Sequence, residues 1–256
     1  MTTPLLLIAR YTALEALRGK FLWLCLLIVC AALGLSALLG QLALTESRAT
    51  EAALVAAALR LASVFLLMTF VVTSMAREAA DHGLELLLAL PLPRAAYLLG
   101  KLAGFAALAV LPAILFGGLT LLWAPPLQSL LWGLSLLAEL WIVAAFSLLC
   151  AASLHNALPA LATSAGFYLL ARMIDSLQLL AHGSYGASSS VQGALAAGID
   201  LLALLLPRLD LFARGDWLLY ATGNWSALAA LAAQTAIYVA LLTAAALCDF
   251  YRRSVP

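Results

Sequence analysis

The sequence predicts an all-α, polytopic integral membrane protein with six transmembrane helices, and three observations lead to that fold class. First, 66% of the 256 residues are hydrophobic and only 10% are charged, whereas soluble domains have roughly 45–50% and about 25%. Second, the mean hydropathy is +1.09. Third, stretches of about twenty residues with few charges recur, the length that a helix needs to cross a bilayer. This composition excludes a soluble enzyme, a disordered chain and a disulfide-built secreted module.

A helix that lies in the membrane interface is predicted at the start of the chain, over residues 4–20. Apolar residues alternate there with Arg10, Glu15, Arg18 and Lys20, which is typical of interfacial helices. The alternative is that this stretch is simply the cytoplasmic beginning of the first span. The apolar stretch that follows is much longer than the 7–15 residues of a signal peptide, so we expect it to remain as an anchor.

Charges, prolines and glycines divide the rest of the chain into six predicted spans and two connecting segments. The spans are residues 21–44, 52–76, 95–123, 127–152, 157–180 and 226–247. Residues 77–94 connect the second and third spans, and residues 181–225 form an outer loop before the last span. Within that loop, residues 191–206 are too few for a span and predict a re-entrant or interfacial helix. The whole chain, 1–256, is therefore one transmembrane domain.

The end of the outer loop carries a second interfacial pattern. Charged residues such as Arg208 and Asp210 alternate with apolar residues up to Trp217, which suits an interfacial segment with an aromatic anchor. A weaker interpretation is that this segment binds a partner outside the membrane.

The placement of the basic residues gives the orientation. With both termini inside, eight of the 13 Lys and Arg residues lie on the cytoplasmic side and five on the outer side, which favours cytoplasmic termini. These 13 cations nearly balance 12 anions, for a net charge of +1, so the charge does not indicate a nucleic-acid partner.

The chain lacks the motifs for its own nucleotide or metal chemistry. The Gly-Lys pair formed by Gly100 and Lys101 has Ala95 in place of the first glycine of a phosphate-binding loop and Leu102 in place of the hydroxyl residue. The cysteines form no C-x-x-C pair, and the histidines are scattered in sequence. We therefore expect no catalytic residue, no metal site and no cofactor in this chain.

The segment 77–94 predicts a short amphipathic helix between two breaks. Gly83 precedes the helix and Pro91 ends it, because proline cannot donate the helix hydrogen bond. Glu85 lies on one face of this helix, and three leucines recur on the other at i, i+3 and i+4, namely Leu84, Leu87 and Leu88. Such a helix can dock into a groove on a soluble partner, or its leucines can lie flat on the inner leaflet.

These residues resemble the permease subunits of type-2 ABC transporters, the exporter class with six spans per subunit. The family signature runs approximately Arg-Glu, then Gly-x-Glu-x-Leu-Leu, Leu-Pro-Leu-x-Arg and, a few residues on, Gly-Lys. The matching residues here are Arg77, Glu78, Gly83, Glu85, Leu87, Leu88, Leu90, Pro91, Leu92, Arg94, Gly100 and Lys101.

The resemblance implies a division of labour between subunits. In that family the segment is a coupling helix that contacts an ATP-binding subunit, and two permeases work with two ATPases. It therefore implies a bacterial inner-membrane protein, a second permease copy that forms a homodimer, and ATP with Mg²⁺ bound in the partner ATPase. The implied ATPase-coupling residues are Arg77, Glu78, Gly83, Leu84, Glu85, Leu87, Leu88, Pro91 and Arg94.

Four ionisable residues lie where lipid would penalise them. Glu139 lies midway along the fourth predicted span and should face the bundle, either as a polar point on a substrate path or as a buried carboxyl bonded to another helix. Arg172 and Asp175 are three apart on the fifth span and can pair with each other. Arg60, on the second span, lies at a depth similar to that of Arg172 and Asp175. This suggests a structural polar network rather than a substrate site.

Two other functions remain open at this point. An ion-coupled secondary transporter would use Glu139 with the Arg172 and Asp175 pair, although the sequence shows no convincing internal repeat of the kind such transporters have. A non-transporting membrane module would instead act on a periplasmic partner through residues 181–225.

Overall fold

The computed structural model describes residues 2–42, 47–80, 94–154, 156–182, 190–212 and 215–252. Every regular element within these ranges is a helix, including 3-10 turns at Thr120–Leu122 and Leu209–Leu211. The α-helices in chain order are α1 (Thr2–Arg18), α2 (Phe21–Leu42), α3 (Ser47–Ala80), α4 (Arg94–Leu119), α5 (Pro126–Ser153), α6 (Ala157–His182), α7 (Ser190–Leu205), α8 (Asp216–Tyr220) and α9 (Trp225–Arg252).

Six of these helices are long and apolar enough to cross a membrane, which confirms the predicted fold class. Their apolar stretches are Phe21–Gly40, Glu51–Ala80, Ala95–Leu122, Pro126–Ser153, Ala157–His182 and Trp225–Arg252. The helices extend beyond the predicted span ends at several points, most clearly in α3, because a helix continues past the lipid boundary while its backbone hydrogen bonds are satisfied. The protein is a multi-pass membrane protein.

Helix α5 is the centre of the bundle. It packs against α3, α4, α6 and α9. Its apolar stretch has the largest share of buried residues among the six spanning helices. The backbones of α4 and α5 come close together, since a Cβ added to Gly117 would lie 3.2 Å from the Cα of Gly133. Small residues allow two helix backbones to approach in this way when no hydrophobic effect drives them together. The intramembrane residue Glu139 is therefore carried by the helix with the most protein neighbours.

Helix α1 packs closely on the beginning of α4. Added Cβ atoms at Gly100 and Gly104, one turn apart on α4, would lie 2.9 Å from the Cβ of Ile8 and 2.7 Å from the Cβ of Thr12. Glycine at both positions lets α1 contact the α4 backbone directly. The opposite side of α1 exposes large apolar side chains, Leu6, Leu7 and Tyr11, as an interfacial helix does toward lipid.

Substituting Gly104 with Leu is expected to displace α1 from α4. The new side chain would overlap Thr12, and overpacking of a close contact typically costs about 1–3 kcal/mol. Gly118→Leu is the matched control on the same helix, because a Cβ there meets nothing within 4 Å. Denaturant unfolding of the purified variants in mild detergent measures the difference. Equal unfolding free energies for the two variants would show that the α1–α4 contact is not tight.

The segment between α6 and the last span differs from its prediction in one respect. Helix α7 has 16 residues and packs against α6. The prediction that Trp217 anchors this segment in the membrane interface is wrong, because Trp217 is only 3% exposed and is packed among protein residues together with Leu209 and Phe212. The segment after α7 therefore folds onto the bundle, with α8 against α3 and α5.

A side chain of α5 holds the chain as it returns from α8 to α9. The Gln128 amide nitrogen donates to the carbonyls of Ala221 and Gly223, both at 3.2 Å, and its oxygen accepts from the Gly223 amide at 3.1 Å. Ala221 adopts a left-handed conformation with φ of 53°, which is uncommon for a residue with a side chain. These hydrogen bonds fix the turn that leads into the last span.

Candidate functional site

A fully buried ion pair joins α3 to α5 in the middle of the membrane-spanning bundle. The Arg60 guanidinium Nη1 lies 2.6 Å from Glu139 Oε2, and the two side chains are 1% and 0% exposed. An unpaired charge at this depth would cost several kcal/mol. The short charge-assisted hydrogen bond offsets that cost, so each residue needs the other.

The rest of the Arg60 guanidinium is also held by α5. Its Nη2 donates to Ser135 Oγ at 2.8 Å and approaches the Trp132 carbonyl at 3.5 Å. The guanidinium carbon lies 4.8 Å from the centroid of the Trp132 ring, within the range of a cation–π contact. Ser135 Oγ also lies 3.4 Å from the Phe212 carbonyl, which connects the network to the segment between α7 and α8.

Glu139 accepts two further hydrogen bonds from α6. Its Oε1 receives the Tyr168 hydroxyl at 3.1 Å and Arg172 Nη1 at 3.4 Å. The predicted pairing of Arg172 with Asp175 differs from the structure, because Arg172 turns inward to Glu139 while Asp175 accepts from Arg208 at 3.0 Å. Although the two residues are close in sequence, they point to different parts of the bundle.

This network acts as a brace between helices. Glu139 has three donors from two neighbouring helices, and Arg60 has acceptors and an aromatic ring on α5. A carboxylate fully bonded in this way has no exposed atom that could exchange a proton or an ion with solvent. Arg172 is the one member whose side chain reaches the surface, with 24% exposed.

A second polar cluster joins the end of α3 to the beginning of α4, the two helices that flank the segment resembling a coupling helix. Glu78, at the end of α3, forms an ion pair with Lys101 of α4, and it accepts from the Tyr97 hydroxyl at 2.5 Å. Lys101 is nearly buried, whereas Glu78 is partly exposed. The end of α3 and the beginning of α4 are thus joined by side-chain contacts, and we call the cluster of Glu78, Tyr97 and Lys101 the joined base of residues 81–93.

Helix α1 also reaches this cluster. Arg77 lies next to Glu78 on α3, and its Nη2 is 3.8 Å from Glu15 Oε1, with both side chains largely exposed. Arg94 is the first residue of α4. The other predicted coupling residues lie outside the described residues, namely Gly83, Leu84, Glu85, Leu87, Leu88 and Pro91.

Several members of these networks were not predicted from the sequence, although helical spacing offers a signal for two of them. Ser135 is four residues before Glu139, and Tyr168 is four residues before Arg172, so each pair shares a helix face. A polar residue one turn from an intramembrane charge is therefore a candidate partner for it. Tyr97 has no such local signal, because its partner Glu78 lies on another helix.

Comparisons with known proteins identify no family for this chain. No protein-family model matches the chain, and no curated protein matches it. Among the residues that the structure describes, no group of three or more His, Cys, Asp or Glu side chains is placed to hold a metal ion. The chain is therefore characterised by its six apolar helices, the buried Arg60–Glu139 brace and the joined base of residues 81–93.

Proposed function

We propose that this chain is the membrane-spanning permease subunit of an exporter of the type-2 ABC class, driven by a separate ATPase. The observation that carries the proposal is the joined base of residues 81–93. Glu78 before the segment contacts Tyr97 and Lys101 after it, and both Glu78 and Lys101 belong to the motif that resembles the family's coupling segment. A partner that pushes on this segment would move α3 and α4 together.

The contacts of the base also suggest how force would spread. Arg77 approaches Glu15 of α1, and α1 in turn packs on the glycines Gly100 and Gly104 of α4. Closure of two ATPase subunits would displace α1, α3 and α4 as one unit, because side chains join all three near the same end of the bundle. Interfaces that shift between discrete packings convert such a push into a change of access.

The proposal includes a second copy of the chain. Helices α2 and α9 are the least buried of the six spanning helices, since only 11% and 17% of the residues in their apolar stretches are buried. These apolar faces suit lipid and a second permease, and the family resemblance implies a homodimer with two ATPases. In this arrangement both termini are cytoplasmic, in a bacterial inner membrane, and the segment after α6 lies on the outer side, where a periplasmic partner would reach it.

The buried network favours this proposal over an ion-coupled secondary transporter. A coupling carboxylate must be reached by water at some stage of transport, whereas Glu139 is fully buried and bonded to Arg60, Tyr168 and Arg172. A brace of this kind suits a bundle that moves as a unit under an external force. Substrate flux that continues without nucleotide and stops when the proton gradient is removed would favour the secondary transporter.

The proposed partner is tested by the ATPase activity that co-purifies with the chain from native membranes. We expect the variant Leu87→Asp, Leu88→Asp to lose most of that activity, because charges on the apolar stripe would oppose docking into a groove. Leu180→Asp is the matched control, since Leu180 is 74% exposed at the other end of the bundle. If the double variant retains as much ATPase activity as the control, the proposed docking is wrong.

A further inference from the structure

A cavity of about 430 Å³ opens between the α1–α2 turn and the last turns of α3. It lies on the same side of the bundle as the joined base of residues 81–93, since Arg77 takes part in its lining. Its lining divides into two chemical zones. Lys20, Arg77 and Glu15 supply charged groups, while Leu24, Leu66 and Phe70 supply apolar surface.

The charged zone has an excess of positive charge. Arg77 Nη2 is 3.8 Å from Glu15 Oε1, too long for a hydrogen bond, and the Arg77 side chain is 65% exposed. Lys20 has no ion-pair partner among the described residues. Two cations and one carboxylate therefore line this zone, which leaves one positive charge without a counter-charge.

The apolar zone follows the groove between two spanning helices. Leu24 lies in the first turn of α2, and Leu66 and Phe70 lie one turn apart on α3. These positions are within the predicted spans, so this part of the cavity is at the depth of hydrocarbon chains. A ligand that satisfies both zones needs an anionic head joined directly to a hydrocarbon tail.

We propose that this cavity is a binding site for an anionic phospholipid. The phosphate would lie against Lys20 and Arg77, and the first part of an acyl chain would lie against Leu66 and Phe70. Basic pockets between spanning helices at the cytoplasmic surface recognise anionic headgroups in this way. The site goes beyond the proposed transport function and does not depend on an ATPase. Arg77 begins the segment 77–94, and its guanidinium approaches Glu15. A lipid bound here would therefore compete with Glu15 for that guanidinium.

Native mass spectrometry of the delipidated full chain tests the site with two lipids of equal acyl chains, phosphatidylglycerol and phosphatidylcholine. We expect phosphatidylglycerol to bind several-fold more tightly. Lys20→Gln should weaken its binding about fivefold, since each cation near a membrane surface contributes about 1 kcal/mol to the attraction of anionic lipid. Arg18→Gln is the matched control, because Arg18 is an exposed cation two residues away that does not line the cavity.

A second variant tests the apolar zone. Leu66→Trp would fill the apolar zone of the cavity. It should abolish the preference for phosphatidylglycerol while leaving both cations in place. A thermal unfolding scan shows whether this variant still folds, and a variant with a smaller side chain, Leu66→Ala, should keep the preference. Loss of lipid binding in Leu66→Trp with retained folding supports a site that holds the tail as well as the head.

Four outcomes would overturn the proposal. They are equal binding of the two lipids, equal effects of Lys20→Gln and Arg18→Gln, displacement of the lipid by inorganic phosphate at similar concentration, and a lipid-free dimer that Lys20→Gln dissociates. The second outcome would indicate general surface attraction, the third a free-phosphate site, and the fourth a contact between two copies of the chain. None of these results bears on ATPase docking, so the proposed function is tested separately.

Discussion

Glu139→Leu is expected to lower the free energy of unfolding by about 3–5 kcal/mol, because it leaves the buried Arg60 guanidinium without a counter-charge. Arg60 is 1% exposed and its Nη1 is bonded to Glu139 at 2.6 Å. Denaturant unfolding of the purified protein in mild detergent measures the loss. The remaining contacts of Arg60 with Ser135 and Trp132 satisfy hydrogen-bond donors but do not neutralise the charge.

The double variant Arg60→Met, Glu139→Leu should recover most of that loss. Replacing both members of a buried ion pair with apolar residues is often neutral or stabilising, whereas removing one member is not. Asp175→Asn is the control, because its ion pair with Arg208 is about half exposed and exposed pairs contribute at most about 1 kcal/mol. If Glu139→Leu is tolerated as well as Asp175→Asn, the network does not brace the helices.

Glu78→Gln is expected to destabilise the junction between α3 and α4 and, if the proposed function is correct, to uncouple the partner ATPase. Lys101 is nearly buried and forms an ion pair with Glu78, and loss of a hydrogen bond to a charged group typically costs about 1.5–3 kcal/mol. Gln keeps the shape of Glu and can still accept from the Tyr97 hydroxyl, so the change removes the charge and the contact with Lys101. ATP-driven flux in proteoliposomes should fall while ATP hydrolysis continues.

A charge exchange provides the sharper control for that junction. The variant Glu78→Lys, Lys101→Glu keeps opposite charges at the two positions and should restore part of the flux that either single substitution removes. Glu15→Gln changes a largely exposed carboxylate near Arg77 and should have a much smaller effect on unfolding. Equal flux in Glu78→Gln and the unchanged chain would show that the contacts of Glu78 with α4 take no part in coupling.

The six spans could be predicted because hydropathy is a local property of the chain. A stretch of about twenty apolar residues is favoured in lipid whatever its neighbours are. The burial of Glu139 follows from the same argument, since lipid penalises a charge at mid-span. Its partner Arg60 could not be assigned, because pairing depends on how α3 and α5 rotate and pack against each other.

The pairing of Arg172 shows the limit of sequence spacing most directly. Residues three apart on a helix can meet, and the sequence allows Arg172 to pair with Asp175. In the folded bundle each has its partner elsewhere, Glu139 for Arg172 and Arg208 for Asp175. Trp217 shows the same limit, because an apolar residue among charged ones has the same pattern whether it meets lipid or protein.

The most direct test of the central claim is photocrosslinking from residue 87 in living cells, followed by identification of the crosslinked protein. A photoreactive phenylalanine analogue at this position should trap a soluble protein that carries the phosphate-binding motif G-x-x-x-x-G-K-[ST]. The same analogue at Leu180, exposed at the other end of the bundle, should not trap it. Crosslinks from residue 87 to lipid alone, or to a protein without a nucleotide site, would contradict the account.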